Sequence, residues 1–152
     1  MSDNAAFADA KVLVVDDNEQ NLELLTAYLE TLGCRIQTAR NGLEALAAVS
    51  AARPDVILLD IMMPKMSGFE VCRKLKADPK TREIPVIMVT ALNEQGDIDR
   101  AVECGTDDFV SKPVNKTELL IRVKSALRVR HLRNELDRAL AYLTDVDTRR
   151  PG

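Results

Sequence analysis

Carboxylate side chains follow two apolar runs of the sequence, at the point where each run ends. Residues 56–59 are Val, Ile, Leu and Leu, and this run stops at Asp60. A second run, at residues 12–15, is followed by Asp16 and Asp17. Such runs are typical of strands that are buried on both faces of a parallel sheet. Because open α/β sheets place their chemistry beyond the carboxyl ends of the strands, we expect the three carboxylates to lie together.

Two further runs end in side chains that complement carboxylates. Thr90 follows residues 85–89, and Lys112 follows the short segment 108–111. Clustered carboxylates cannot all stay ionised without a counter-charge, and Mg²⁺, which prefers carboxylate, phosphate and water oxygens, can supply it. Lysine adds a mobile positive charge, and threonine adds a hydroxyl donor. A carboxylate nucleophile, Mg²⁺, lysine and a hydroxyl are what phosphoryl transfer to an aspartate requires.

A regular alternation of strand and helix patterns positions these residues. Strands are predicted at 11–15, 34–39, 56–60, 85–89 and 108–111. Helices are predicted at 19–32, 43–52, 68–77 and 94–104, and from 115 or 116 to the proline at 151. Five strands that alternate with five helices predict an α/β fold, a doubly wound parallel sheet with right-handed crossovers.

Composition narrows the class of protein. A chain of 152 residues with 46% hydrophobic and 3% aromatic residues is expected to form one domain with an aliphatic core. Its net charge of −3 gives no reason to expect direct nucleic-acid binding. No apolar run approaches the roughly 20 residues of a membrane span, and the first residues lack the pattern of a signal peptide. We therefore expect a cytoplasmic protein without a membrane partner.

The cysteine and histidine side chains indicate no second site. Cys34, Cys72 and Cys104 are odd in number and far apart, so they fit neither a disulfide framework nor a zinc spacing. We expect three reduced thiols. His131 is the single histidine and lies in a basic helical stretch, where we expect it to be solvated.

Together these motifs resemble the receiver domain of two-component response regulators. The resemblance extends from about Lys11 to Leu127, and each motif falls at the strand end where the family has it. The matching segments are LVVDDN at 13–18, LLDIMMPKMSG at 58–68, VTA at 89–91, GTDDF at 105–109 and KP at 112–113. The resemblance implies a flavodoxin-like sheet of five parallel strands in the order 2-1-3-4-5, followed by an extended C-terminal helix.

The resemblance also implies a phosphoacceptor site. Asp60 would accept the phosphoryl group from a sensor histidine kinase or a phosphotransfer protein. Asp17, Asp60 and the main-chain carbonyl of Met62 would bind Mg²⁺, for which Mn²⁺ can substitute, and Asp16 would act through water. A receiver assists its own phosphorylation and dephosphorylation but has no separate turnover reaction, so we expect a signalling protein that is not an enzyme.

Other residues are implied to respond to the phosphate. Thr90 and Lys112 would bind the phosphoryl oxygens after transfer, and Phe109 would swing inward as Thr90 moves toward them. The alternative for Phe109 is an ordinary core aromatic on an edge strand. The peptide bond that precedes Pro113 is expected to be cis, which only proline makes inexpensive.

The surroundings of the acceptor lead to a prediction about its lifetime. Pro64 and Gly68 are assigned structural roles in the loop that follows the acceptor strand. Ala91 is small and leaves the acyl phosphate accessible to the donor, whereas the apolar side chains of Met62 and Leu92 cannot orient an attacking water molecule. We therefore expect a long-lived phosphorylated state.

The last predicted helix continues beyond residue 127, near which a receiver of this type ends. Apolar residues recur along it at spacings of three and four, as in an a/d heptad stripe: Val129, Leu132, Leu136, Ala139, Leu143 and Val146. We favour a parallel homodimer whose pairing changes on phosphorylation; the alternative is a stripe that folds back onto its own domain. We divide the chain into a flexible start (1–10), a receiver (11–127), a helical extension (128–147) and a disordered tail (148–152).

Alternative functions remain open at this stage. An aspartate that follows a strand most often simply begins a turn, and this is the alternative role for Asp60 when it is considered by itself. A haloacid dehalogenase phosphatase would need a carboxylate two residues after its nucleophile. A flavin mononucleotide carrier would need a first loop that does not repel phosphate. The sequence Asp16-Asp17-Asn18 fits neither requirement. A degenerate receiver would act only as a binding module. For a true receiver, the implied downstream partner is an effector protein or an output domain, such as those that handle cyclic dinucleotides.

Overall fold

The computed structural model describes residues 7–91, 99–100 and 102–149, with side chains described up to residue 143. Five strands are present in this part of the chain: β1 (Lys11–Val15), β2 (Arg35–Ala39), β3 (Val56–Asp60), β4 (Val86–Thr90) and β5 (Asp108–Ser111). They form one parallel sheet in the order β2-β1-β3-β4-β5. The predicted α/β class and strand order are therefore confirmed.

Helices follow the strands. They are α1 (Glu19–Glu30), α2 (Gly42–Ala51), α3 (Gly68–Ala77) and α4 (Lys116–Arg149). The first three begin after a capping side chain, because Asn18, Asn41 and Ser67 each accept a hydrogen bond from the main-chain N–H three residues later. Of the helix predicted at 94–104, residues 99–100 and 102–103 are helical, whereas 94–98 and 101 lie outside the described residues.

Both faces of the sheet are covered by helices. On one face, Val12 and Val14 pack with apolar side chains of α1 and α4. On the other face, Leu13 and Val15 pack with those of α2 and α3. Alternate residues of a strand point to opposite faces, so a strand covered on both sides is apolar at every position, as residues 56–59 of β3 show.

The chain before β1 is packed rather than free. Phe7 is 6% exposed and joins the core beneath α1 and α4. The carbonyl oxygen of Ala10 accepts a hydrogen bond of 2.8 Å from the main-chain N–H of Arg35. A flexible segment was predicted at 1–10, but residues 7–10 belong to the folded domain because the side chain of Phe7 is buried in the core. Residues 1–6 lie outside the described residues.

Helix α4 has 34 residues and two environments. Leu119, Val123 and Leu127 are buried against the sheet, whereas every residue from 131 to 143 is exposed. The helix continues to Arg149, two residues beyond the extension assigned to 128–147 and within the helix predicted up to the proline at 151. Within the described ranges, no helix has the length and apolar character needed to span a membrane.

The loop after β3 folds back onto the strand that precedes it. The main-chain N–H of Gly68 donates to the carbonyl oxygen of Ile61 at 2.9 Å. A Cβ atom at Gly68 would overlap the carbonyl oxygen of Asp60 and lie 2.8 Å from the Cα atom of Ile61. Only glycine lets the start of α3 approach the end of β3 this closely, which supports the structural role predicted for Gly68.

Replacing Gly68 with alanine is expected to destabilise the fold by about 2 kcal/mol or more, because the added methyl group meets rigid backbone. Chemical denaturation measures this change. Gly42→Ala is the comparison, since Gly42 also begins a helix but the atoms nearest to its added methyl, at 2.7–3.0 Å, belong to the side chain of Met66 and not to backbone. Equal losses in the two variants would show that the close approach of α3 to β3 is not the cause.

Candidate functional site

Three carboxylates meet at the carboxyl edge of the sheet. Asp16 and Asp17 follow β1, and Asp60 ends the neighbouring strand β3. Each offers a carboxylate oxygen, and these atoms all lie within 4.8 Å of one another. Asp16 is 1% exposed and Asp60 is 3% exposed, whereas Asp17 faces solvent. The structure thus brings together the three acidic residues that the sequence selected.

Lys112, which directly follows the edge strand β5, also reaches this cluster. Its ammonium Nζ lies 3.4 Å from Asp16 Oδ2 and 3.4 Å from Asp60 Oδ1, and its side chain is 27% exposed. Its main-chain N–H donates to the carbonyl oxygen of Thr90 at 3.0 Å, so the ends of β4 and β5 are tied together. The Lys112–Pro113 peptide bond is cis.

The main chain also holds the carboxylates in place. The N–H of Asn18 donates to Asp16 Oδ1 at 2.9 Å, and the N–H of Met62 donates to Asp60 Oδ1 at 3.3 Å. Asn18 was not among the site residues predicted from the sequence. Its side chain caps α1 while its N–H orients Asp16, so the helix cap was the signal that could have found it.

The electrostatic balance of the site is unfavourable for the charged form of Asp60. Burial raises the pKa of Asp60 from 3.8 to about 6, and the neighbouring Asp16 adds to this shift. The positive charge of Lys112 and its hydrogen bond act in the opposite direction but do not cancel it. In the described part of the chain, Lys112 is the one lysine that pairs with this cluster of three carboxylates, through Asp16 and Asp60, so the cluster is short of positive charge.

The donor set fits a hard divalent cation. Carboxylate oxygens are the ligands that Mg²⁺ prefers, and it commonly uses one or two of them together with water and phosphate oxygens. The cation would also supply the positive charge that the cluster lacks, which is the observation that makes it fit.

Thr90 and Phe109 lie on β4 and β5, the two strands beyond the acceptor strand in the sheet. Thr90 ends β4 and is 3% exposed. Phe109 lies on the edge strand β5 and is partly buried against the core that α2 and α3 cover. Met62, two residues beyond the acceptor, is 75% exposed; Leu92, the other apolar residue invoked for a long lifetime, lies outside the described residues.

A lysine far from the acidic cluster fixes the approach to β5. Lys76 Nζ donates to the carbonyl oxygens of Arg82 and Ile84 and to Asp107 Oδ2, at 2.8–3.0 Å. Asp107 in turn accepts the main-chain N–H of Val86 at 2.7 Å. These contacts bind α3 to the starts of β4 and β5. They were not predicted from the sequence, because no periodicity links residues 31 positions apart.

Comparison with known proteins gives a consistent result. The family model for the response regulator receiver domain matches residues 12–124. The response regulator PleD of Caulobacter vibrioides is 48% identical over 127 residues, which are 84% of this chain but 28% of PleD. The chain therefore spans less than a third of the length of that relative.

Solved structures are similar over most of the chain. The receiver domain of a signal transduction histidine kinase from Syntrophus aciditrophicus is 41% identical with a TM-score of 0.75, over 78% of this chain and 90% of that one. The receiver domain of a Pseudomonas aeruginosa sensor histidine kinase is 29% identical with a TM-score of 0.73, over 78% and 98% of the two chains. That second structure has a magnesium ion coordinated in its active-site cleft.

Without divalent cations, Asp60→Asn is expected to be more stable than the wild type at pH 8 but not at pH 4. The pKa of Asp60 is raised to about 6 in the folded protein, so the stability that its protonated form contributes is present below about pH 4 and is lost as the pH rises through 6. Asparagine carries no charge and avoids this loss, which is at most about 3 kcal/mol.

Denaturation in the presence of a chelator, at pH 4 and pH 8, measures this difference. Asp9→Asn is the matched control, because Asp9 is an exposed carboxylate that precedes β1. It lies at the amino ends of the strands, whereas Asp60 lies at the carboxyl ends. A wild type at least as stable as Asp60→Asn at pH 8 would contradict the electrostatic description of the site.

Proposed function

Because the chain belongs to the response regulator receiver domain family, we propose that it is a phosphorylation-activated switch with Asp60 as the phosphoacceptor. The observation that carries this proposal is the position of Asp60: a buried carboxylate at the end of a rigid central strand, with the ammonium of Lys112 at 3.4 Å and two further carboxylates beside it. Sites of this composition perform phosphoryl transfer by positioning and by charge neutralisation.

The acidic residues would hold a divalent cation. Asp17 and Asp60 would be direct ligands with the main-chain carbonyl of Met62, and Asp16 would act through water. When bound, Mg²⁺ neutralises negative charge on the carboxylates and on the phosphoryl oxygens. The magnesium ion in the related Pseudomonas aeruginosa receiver supports this assignment, and Mn²⁺ is expected to substitute.

The transfer itself uses the chain's own groups. An ionised carboxylate oxygen of Asp60 attacks the phosphorus atom of a partner's phosphohistidine; an O–P bond forms as the N–P bond breaks, and the imidazole nitrogen leaves with the electron pair. Lys112 and the hydroxyl of Thr90 then bind the new phosphoryl oxygens. Phe109, which follows Asp108 on β5, moves inward as Thr90 moves, and the altered β5 reaches α4.

The partners follow from this chemistry. The donor is a sensor histidine kinase or a phosphotransfer protein, and the recipient of the signal is an effector protein or an output domain. The chain acts as a phosphoacceptor without a turnover reaction of its own, and no direct contact with nucleic acid is required. The competing proposal, a receiver that binds partners without phosphorylation, would leave the buried and charge-deficient acceptor site without a use.

Incubation with acetyl phosphate and Mg²⁺ is expected to add one phosphoryl group to the wild type and none to Asp60→Asn, because only Asp60 combines a nucleophilic carboxylate with the cation and Lys112. Mass spectrometry at neutral pH measures the gain. Asp78→Asn, which removes an exposed carboxylate at the end of α3, should be labelled like the wild type. An unlabelled wild type would favour the phosphorylation-independent binding module.

We also propose that a second copy of the chain pairs along α4. Leu119 and Val123 mark the buried face of this helix. At 3.6 residues per turn, the apolar stripe of the extension lies on the side of the helix away from that face, which supports the dimer over the folded-back alternative. The side chain of Val146 lies outside the described residues. Five large apolar side chains of the extension are 51–62% exposed: Val129, Leu132, Leu136, Leu140 and Leu143.

Leu136→Glu is expected to convert a dimer into a monomer, because it places a charge at the centre of the apolar stripe. Light scattering on the Mg²⁺-loaded protein, with and without beryllofluoride as a phosphoryl mimic, measures the mass. Leu43→Glu is the matched control, since Leu43 is 67% exposed on α2. A wild type that is monomeric under both conditions would eliminate the proposed pairing.

A further inference from the structure

A groove lies at the edge of the sheet opposite Asp60. Helix α4 continues past the amino ends of the strands, and between it and the chain before β1 and β3 there is a cavity of about 640 Å³. Phe7, Ala10, Leu127 and Leu132 form apolar parts of its wall. This volume is in the range of small-molecule sites, roughly 300–1,000 Å³.

The helical wall of the groove is rich in positive charge. Arg128, Arg130, His131 and Arg138 line it from α4, and Asp9 and Asp55 line it from the other side. Three arginines and two aspartates line the groove, so its lining carries a surplus of one positive charge in a chain whose net charge is −3. His131 Nε2 lies 3.2 Å from Glu135 Oε1. The other basic side chains on this wall are arginines.

Arg130 is the residue whose surroundings are incomplete. Its Nε atom is buried and has no hydrogen-bond partner among the described residues. Burial lowers the pKa of its guanidinium, and repulsion by Arg53 and Arg133 adds to the shift, while Asp55 and Glu83 oppose it. The same side chain also lines a second cavity of about 190 Å³ beneath the starts of β4 and β5. An anion in the groove would supply negative charge beside this guanidinium, which lines the groove.

We propose that this groove binds a small polyanion that carries phosphate groups, held by the guanidinium groups of Arg130 and Arg138. Arginine matches phosphate because its planar fork donates two parallel hydrogen bonds. Asp9 and Asp55 on the opposite wall repel the anion and so direct it toward the helix. A bound ligand would brace α4 where it leaves the domain. By the helical repeat, Arg130 and Arg138 lie on a side of the helix away from Leu136, whereas Leu132 belongs both to the groove wall and to the apolar stripe.

Isothermal titration of the full chain with inorganic pyrophosphate, at low salt and without divalent cations, tests the proposal. Saturable one-to-one binding is expected for the wild type. Arg138→Gln and Arg130→Gln should each weaken it about tenfold, the effect of losing one charge-assisted hydrogen bond. Arg138 is exposed, so its replacement leaves the fold intact; thermal melts check whether Arg130→Gln is folded.

Two controls separate a built site from general attraction. Arg73→Gln removes an exposed arginine from α3, on the other face of the sheet, and should change the affinity less than about twofold. Citrate, a polyanion without phosphate, should bind more weakly than pyrophosphate. No saturation up to about 5 mM pyrophosphate, equal weakening by Arg73→Gln, or citrate binding as tightly as pyrophosphate would each overturn the proposal.

Discussion

Burial of both faces of the parallel sheet is the constraint on which the rest of the structure depends. Strands β3 and β4 are buried at all five positions, so they tolerate polar side chains only where they end. Parallel pairing brings those ends to one edge, and the charged groups of β1, β3 and β5 meet there as a result. The acidic cluster around Asp60 is thus a consequence of how the core is covered.

The cluster at that edge is held in an electrostatically costly arrangement. Asp16 and Asp60 are both nearly inaccessible to solvent, and the single nearby lysine does not cancel the effect of burial on the pKa of Asp60. Rigid elements impose this arrangement, since β1 and β3 are neighbours in the sheet and main-chain N–H groups fix both carboxylates. Because the site lacks positive charge, binding of a cation there is favourable. A receiver would in this way couple cation binding to phosphoryl transfer.

Helix α4 connects the two ends of the molecule. Its first part packs beneath the sheet, and Arg122 forms two hydrogen bonds, at 2.7 and 2.8 Å, with the carboxylate of Asp108 at the start of β5. Its second part leaves the domain with an apolar stripe on one side and arginines on another. A change in β5 therefore has a direct mechanical route to the surface that we propose for pairing.

The fold class, the order of the elements and the strand-end residues could all be predicted from local sequence patterns. This was possible because period and burial are local properties: an apolar run that ends in Asp60 indicates a two-sided strand whatever the rest of the chain does. Boundaries were less certain by one or two residues, because capping side chains such as Asn41 decide where a helix begins.

Which groups meet, and which helix face remains exposed, depend on contacts between residues that are distant in sequence. The distances from Lys112 to two carboxylates, the contact of Lys76 with Asp107 and the packing of Phe7 join residues that are distant in sequence. Whether the stripe on α4 covers its own domain was likewise undecided, since its periodicity fits a partner's helix as well as the sheet. The physical reason is that patterns record which side of an element is apolar, whereas packing in three dimensions determines what lies against that side.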